Sequence, residues 1–343
     1  MTPNNNSDDY SNIKFGIQSN AERYSWAAYF IFGLLSSYIG DTLILVASFQ
    51  RNTFKINKFL VVIIQHIAVS DIANTTHFVL PTIISLIADS WPLGIALCYI
   101  RVYTAYFIYP TGLFLIAVLT TAKFLILRYP LRAATWSSNR AHVVCAVVWA
   151  FLLLNPVLFL VMGKDDILFD YRIYNCEYGF KSDRLQQTIL PIVLFFISAL
   201  APNILIVATT IPTLKYLTVA RKNARRAQGS IPWQGALTVA LTAVVYCIST
   251  LPFTFYKIVI AIVGENPESM FQVNYYRVSY FLLMWNIMSN FYIYTLTIKS
   301  FRRFLLSTVA LSNYFTTENW KSITSVGGKV NTHDITRCSS ILL

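Results

Sequence analysis

Residues 91–132, WPLGIALCYIRVYTAYFIYPTGLFLIAVLTTAKFLILRYPLR, decide how this chain folds. The apolar run from Ile95 to Leu127 is interrupted only by Arg101 near its start and Lys123 near its end. A bilayer is crossed by about 20 apolar residues in a helix, so this run is long enough to cross with tilt. At about 1.5 Å per residue, Cys98 and Lys123 lie about 37 Å apart, near opposite faces of a hydrocarbon core about 30 Å thick. Cys98 would then meet oxidising conditions and Lys123 the cytosol. Pro110 and Gly112 fall mid-helix, which water would penalise; in lipid, neighbouring helices satisfy the backbone groups that a proline frees.

The remainder of the 343 residues repeats this pattern. The chain is 56% hydrophobic and only 12% charged, with mean hydropathy +0.54, far more apolar than an ordinary soluble domain. Apolar runs fall at about 26–49, 59–87, 95–127, 141–162, 187–217, 234–263 and 275–298, which predicts an all-α membrane protein, a seven-transmembrane helix bundle. Domain organisation follows: residues 1–25 outside, 26–298 the bundle, 299–310 a short amphipathic membrane-surface helix, and 311–343 a polar cytoplasmic tail without stable structure. The first 25 residues hold no cleavable apolar stretch, so the first helix is expected to direct insertion.

A net charge of +12 raises the question of nucleic acid, but the placement of the charge answers it. With the N-terminus outside, inner loops and tail hold 18 Lys/Arg against 9 elsewhere; of the acids, 2 are inside, 11 outside and 2, Asp41 and Asp71, within the spans. Basic inner loops set orientation and attract anionic lipid, so the bilayer is the partner and no nucleic acid is needed. The expected location is the plasma membrane, with an extracellular N-terminus where Asn5-Asn6-Ser7 fits a glycosylation signal.

Carboxylates at membrane depth are expensive and usually paired or functional. Asp41 in the first helix and Asp71 in the second would approach if those helices pack, sharing a proton or a cation. The alternative is that each hydrogen-bonds a neighbouring Asn or Ser as interhelical glue. Cys98 and Cys176 would both face the oxidising side, where a disulfide would tie the second outer loop to the third helix. Cys145 and Cys247 read as buried hydrophobes and Cys338 as a reduced thiol in the tail. There is no His/Cys cluster for a metal and no nucleophile–base set for an enzyme.

Asp71, Trp91 and Gly94, Cys98 with Cys176, Trp149, Pro202, Pro252, Asn286, Asn290 and Tyr294, with a cation 25 residues after Cys98, together resemble the rhodopsin-family (class A) G-protein-coupled receptors over about residues 26–310. The resemblance implies an extracellular ligand, a heterotrimeric G protein as partner and an arrestin at a phosphorylated tail; the buried carboxylates themselves suggest a sodium ion near Asp71, in a polar site of Asp41, Asp71, Asn286 and Asn290. No other cofactor is implied. The switch positions depart from the family. Its Gly-Asn is Gly40-Asp41, its Asp-Arg-Tyr is Ala122-Lys123-Phe124, its Cys-Trp-x-Pro is Ser249-Thr250-Leu251-Pro252, and its Asn-Pro-x-x-Tyr is Asn290-Phe291-Tyr292-Ile293-Tyr294. With no acid at Ala122 or from Gly229 to Ala236 to restrain Lys123, raised basal signalling is expected. So divergent a set favours a chemosensory receptor; poor coupling is the competing outcome, since lysine lacks arginine's donor fork.

The expected ligand pocket holds Arg101, Ala105, Tyr106, Tyr256, Lys257, Arg277 and Tyr280. Ala105 stands where amine-binding relatives carry an acid, which disfavours a biogenic amine. Met284 stands where opsins carry their retinal-bearing lysine. Arg101, Lys257 and Arg277 either snorkel to the interface or pair with Asp165, Asp166, Asp170 or an anionic ligand group. The other classes are a non-signalling seven-helix decoy or accessory protein, and a transporter or channel. No internal repeat supports transport. Seven-helix channels of the insect olfactory type keep the N-terminus inside, against the basic-residue asymmetry.

Overall fold

The structure, a computed structural model, describes residues 19–50, 57–157, 167–178, 196–226, 233–263 and 270–308. Seven long helices and one short one account for most of them. They are α1 (Asn20–Phe49), α2 (Lys58–Asn74, continuing through a wide turn at Thr75–Val79 into Leu80–Ala88), α3 (Gly94–Arg128), α4 (Ser138–Leu152, with helical backbone again to Val157), α5 (Ala201–Arg226), α6 (Trp233–Val263), α7 (Met270–Thr297) and α8 (Lys299–Thr308). Asn5, Asp165, Asp166, Cys338 and the segment 309–343 lie outside the described residues.

Local chemistry sets the helix ends. α1 begins at Asn20, ahead of the apolar run, because Ser19 Oγ accepts from the Glu22 N–H at 3.1 Å; Asn57 Oδ1 does the same for Phe59 at 2.9 Å in α2. The wide turn in α2 lies just before Pro81, which lacks the N–H that would serve the carbonyl of His77. The α2 helix stops at Asp89, whose backbone is left-handed at φ 55°.

Six of the seven long helices are apolar enough to cross a membrane alone; α7 meets that standard only with α8, from which it is bent by 99°. The cause is the polar load of α7, whose Arg277, Ser279, Asn286, Ser289 and Asn290 are all buried in the bundle. Burial elsewhere is also inverted relative to a soluble protein. Phe32, Leu35, Ile39, Val143, Val147 and Ile204 stand exposed on the outside while Ser37, Asp41, Asp71, Asn203 and Thr250 are enclosed, as a lipid solvent requires.

The helices pack around α3 in a ring: α1 lies against α2 and α7, α2 against α4, α3 against α5, and α6 against α5 and α7. Gly40 brings α1 and α7 close, since a Cβ there would lie 2.5 Å from the Phe291 Cβ. Pro110 is absorbed as lipid demands. It cannot donate to the carbonyl of Tyr106, and Asn155 Nδ2 from α4 supplies that bond instead at 3.1 Å.

The stretch after α4, read from sequence as a loop, contains a hairpin. Strands β1 (Ile167–Asp170) and β2 (Asn175–Tyr178) pair antiparallel with Phe169 opposite Cys176. Cys176 is bonded to Cys98 at a Cα–Cα distance of 5.5 Å, so the hairpin is stitched across the mouth of the bundle. This is the cystine end. α8 lies at the opposite end with Phe301 fully buried and Arg302 and Arg303 exposed, the two-faced arrangement expected of it.

Candidate functional site

Polar side chains converge at three levels. At the cystine end, the cystine carries β2 over the bundle and sets Glu177, the residue after Cys176, among α3, α6 and α7. Glu177 Oε2 lies 3.0 Å from Lys257 Nζ and accepts a hydrogen bond from the Tyr276 hydroxyl. Burial alone would raise its pKa; the charges of Lys257 and, farther off, Arg101, with the Tyr276 hydrogen bond, instead hold it below the usual carboxylate value. Lys257 also stands over the rings of Phe253 and Tyr276, at 5.4 and 5.0 Å.

Arg101 lies deeper. It donates from Nη1 to the Cys176 carbonyl and from Nη2 to the Tyr280 hydroxyl at 3.1 Å, with Phe78 beneath it at 4.8 Å. Asn175 completes this layer, donating to Thr82 Oγ1 at 2.7 Å and Tyr280 at 3.2 Å. Tyr256 is buried and stacked on Tyr276 with centroids 4.9 Å apart. Ala105 and Tyr106 are partly buried on α3 nearby.

The cation partners differ from those the sequence suggested. Arg277 pairs with Glu22 of α1 at 3.2 Å, and Asp170 turns back on Arg172 at 2.6 Å instead of reaching a helix cation. Arg23 of α1 meets Asp89 at 2.5 Å. That contact and a hydrogen bond from Tyr174 hold Asp89 below the carboxylate range, while burial and Asp89 push Tyr174 up to about 12. The sequence reading missed Glu177, although its place beside Cys176 was a usable signal: any side chain there is carried over the bundle mouth.

Mid-bundle, Asp71 accepts from Asn290 Nδ2 at 2.6 Å, while Asp41 accepts from Ser37 at 2.7 Å, itself bonded by Thr75 at 2.7 Å. The two carboxylates are near enough to interact electrostatically. Among the described residues, Asn290 Oδ1 and the Tyr294 hydroxyl are buried without a hydrogen-bond partner. Asn286 is buried, but the bond to Asp71 comes from Asn290, one turn farther along.

At the opposite end, Lys123 is partly buried with no carboxylate in ion-pairing reach among the described residues. The helices there are joined by neutral hydroxyls: Thr209 to Thr120 at 3.1 Å between α5 and α3, and Thr238 to Thr297 at 2.8 Å between α6 and α7. Above them Thr250 donates to Asn203 at 3.0 Å, two residues before Pro252 inside α6.

A helix bundle with a cystine-stitched hairpin over one end and hydroxyl contacts at the other defines a seven-transmembrane receptor architecture. The family described as 7 transmembrane receptor (rhodopsin family) matches residues 40–294, and the chain belongs to that family. Squid rhodopsin, known from a crystal structure, superposes with a TM-score of 0.71 at 15% identity, over 86% of this chain and 82% of that one. Proteinase-activated receptor 1 from Rattus norvegicus is 25% identical over 203 residues, 58% of this chain and 45% of the relative. The same receptor from Cricetulus longicaudatus is 25% identical over 171 residues, 49% of this chain and 38% of the relative. The matched stretch thus spans less than half the length of these relatives.

Proposed function

We propose that this chain is a plasma-membrane receptor, N-terminus outside, that converts binding of an extracellular ligand at the cystine end into activation of a heterotrimeric G protein at the other. The carrying observation is that Glu177 grips Lys257 of α6 and Tyr276 of α7, and the same two helices meet again at Thr238 and Thr297. A ligand that disturbs the first contact acts on the rigid rods joined by the second. Activation is then a population shift, limited by the ligand's difference in affinity for the two arrangements.

In this reading Lys123 has no ionic restraint, and basal signalling is raised by the loss of a coupling of about 1–3 kcal/mol. A sodium ion suits the mid-bundle acids, because Asp71, Asp41 and the free Asn290 Oδ1 are hard oxygen donors. Arrestin binding to the tail and a chemosensory ligand belong to the same reading and rest on the family likeness and the divergent switch residues.

The test is a ligand screen on cells carrying several different G proteins, with Lys257→Ala and Arg277→Ala as pocket controls and an antibody to an N-terminal tag on unpermeabilised cells. Surface labelling with nucleotide exchange above mock-transfected cells supports the reading. A tag reached only after permeabilisation, or exchange equal to mock at matched surface expression with every ligand, defeats it.

A further inference from the structure

Among the described residues, the charges at the cystine end pair off until one remains. Asp170 takes Arg172, Glu22 takes Arg277, Asp89 takes Arg23 and Glu177 takes Lys257. Arg101 is left. Its residue is 5% exposed, and its contacts are all neutral: the Cys176 carbonyl, the Tyr280 hydroxyl and the face of Phe78. Among the described residues its Nε–H, also buried, has no acceptor.

A guanidinium cannot discard its proton, so this charge stays. Dipoles and a ring face stabilise it less than an anion would, and the low-dielectric surroundings magnify the difference. Glu177 offsets it only in part: it is near enough to feel the Arg101 charge, but Lys257 and Tyr276 hold it at hydrogen-bonding distance. Phe78 and Tyr280 touch Arg101, and both belong to a buried cluster that also holds Tyr276, Phe253 and Tyr256. A cationic ligand would meet repulsion here, and a dianion would carry more charge than the one cation left unpaired among the described residues balances.

We propose that Arg101 is the docking group for a ligand that carries one carboxylate on an apolar or aromatic body, the carboxylate accepting from Arg101 Nε–H and the body lying among the rings. The proposal rests on the receptor reading above only in calling the molecule a signal; binding itself does not depend on that reading. The same geometry gives Arg101 a second task, since its bond to the Cys176 carbonyl lets an arriving anion pull on the hairpin.

The test uses the full-length purified protein in lipid nanodiscs and a panel of alkyl and aryl carboxylates from acetate to dodecanoate and 3-phenylpropanoate, each beside its uncharged amide. Thermal unfolding reads binding, and nucleotide exchange on a purified G protein reads signalling. Saturable stabilisation is expected from one or more carboxylates and not from the matching amides. Arg101→Gln, which keeps a donor for the Cys176 carbonyl, should weaken the carboxylate midpoint about tenfold or more while the unliganded variant unfolds at no lower temperature than the parent. Chain length within the panel separates a water-borne acid from one that enters through lipid. Equal shifts from acid and amide, an unchanged midpoint in Arg101→Gln, no shift from any carboxylate, or a clearly less stable unliganded Arg101→Gln would each overturn the proposal. Binding that meets these criteria without altering exchange leaves the anion site standing and defeats the receptor reading instead.

Discussion

Glu177 Oε2 lies 3.0 Å from Lys257 Nζ, so a residue carried by the cystine is held by the cystine end of α6. This pair is only partly enclosed, with side chains 25% and 19% exposed, and its strength sits between that of surface and buried ion pairs. A double-mutant cycle of Glu177→Gln and Lys257→Met, read by thermal unfolding, should give a coupling of about 1 kcal/mol. Additive effects would mean that the contact holds nothing in place.

Acid should loosen the hairpin. Glu177 and Asp89 both bind a proton less readily folded than unfolded. Between the folded and unfolded pKa values the unfolded chain therefore holds more protons, and stability rises with pH there. The stabilisation is complete above the ordinary carboxylate pKa of about 4 and is lost as pH falls through the lower folded values. Unfolding temperature measured from about pH 6 down to 3 should drop, and Glu177→Gln with Asp89→Asn should flatten the drop. A parent profile as flat as the variant's would contradict this.

At the opposite end, Thr238→Val removes the hydroxyl bond to Thr297 without changing side-chain volume much. One such bond is worth about 0.5–1.5 kcal/mol, so basal nucleotide exchange should rise about 2- to 10-fold. Ala122→Asp together with Lys123→Arg should do the reverse, lowering basal exchange by supplying the missing restraint. Unchanged exchange in both variants would place the resting-state latch elsewhere.

Sodium should act through the mid-bundle acids. Replacing it by choline is expected to raise basal exchange in the parent and to have no effect in Asp71→Asn, which keeps a partner for Asn290 but loses the charge. Asp41→Asn should leave a weaker response. A parent insensitive to sodium, or an Asp71→Asn variant as sensitive as the parent, would remove the ion from the account.

Much of the fold was legible before any geometry. Apolar runs, the Cys98 and Cys176 positions and the amphipathic stretch after the seventh run are local properties, and within the described residues helices, the cystine and the short helix Lys299–Thr308 fall on them. The rescue of Pro110 was legible in kind only. That lipid forces a substitute donor followed from physics, but Asn155 as that donor depends on how α4 lies beside α3. Likewise Arg101 and Lys257 were visible as cations near a pocket, while their different fates were not.

Hydropathy and cysteine placement act residue by residue along the chain, which is why the sequence alone marked the helix runs and singled out Cys98 and Cys176 as the two cysteines able to meet on one side of the bilayer. Partner choice acts across the chain. Glu177 meets Lys257 at a separation of 80 residues and Thr238 meets Thr297 at 59, and nothing local favours those partners over Asp170 or a cation at the helix ends. Only packing in three dimensions, by deciding which charges are already matched, leaves Arg101 as the one cation at the cystine end with no ion pair of its own among the described residues.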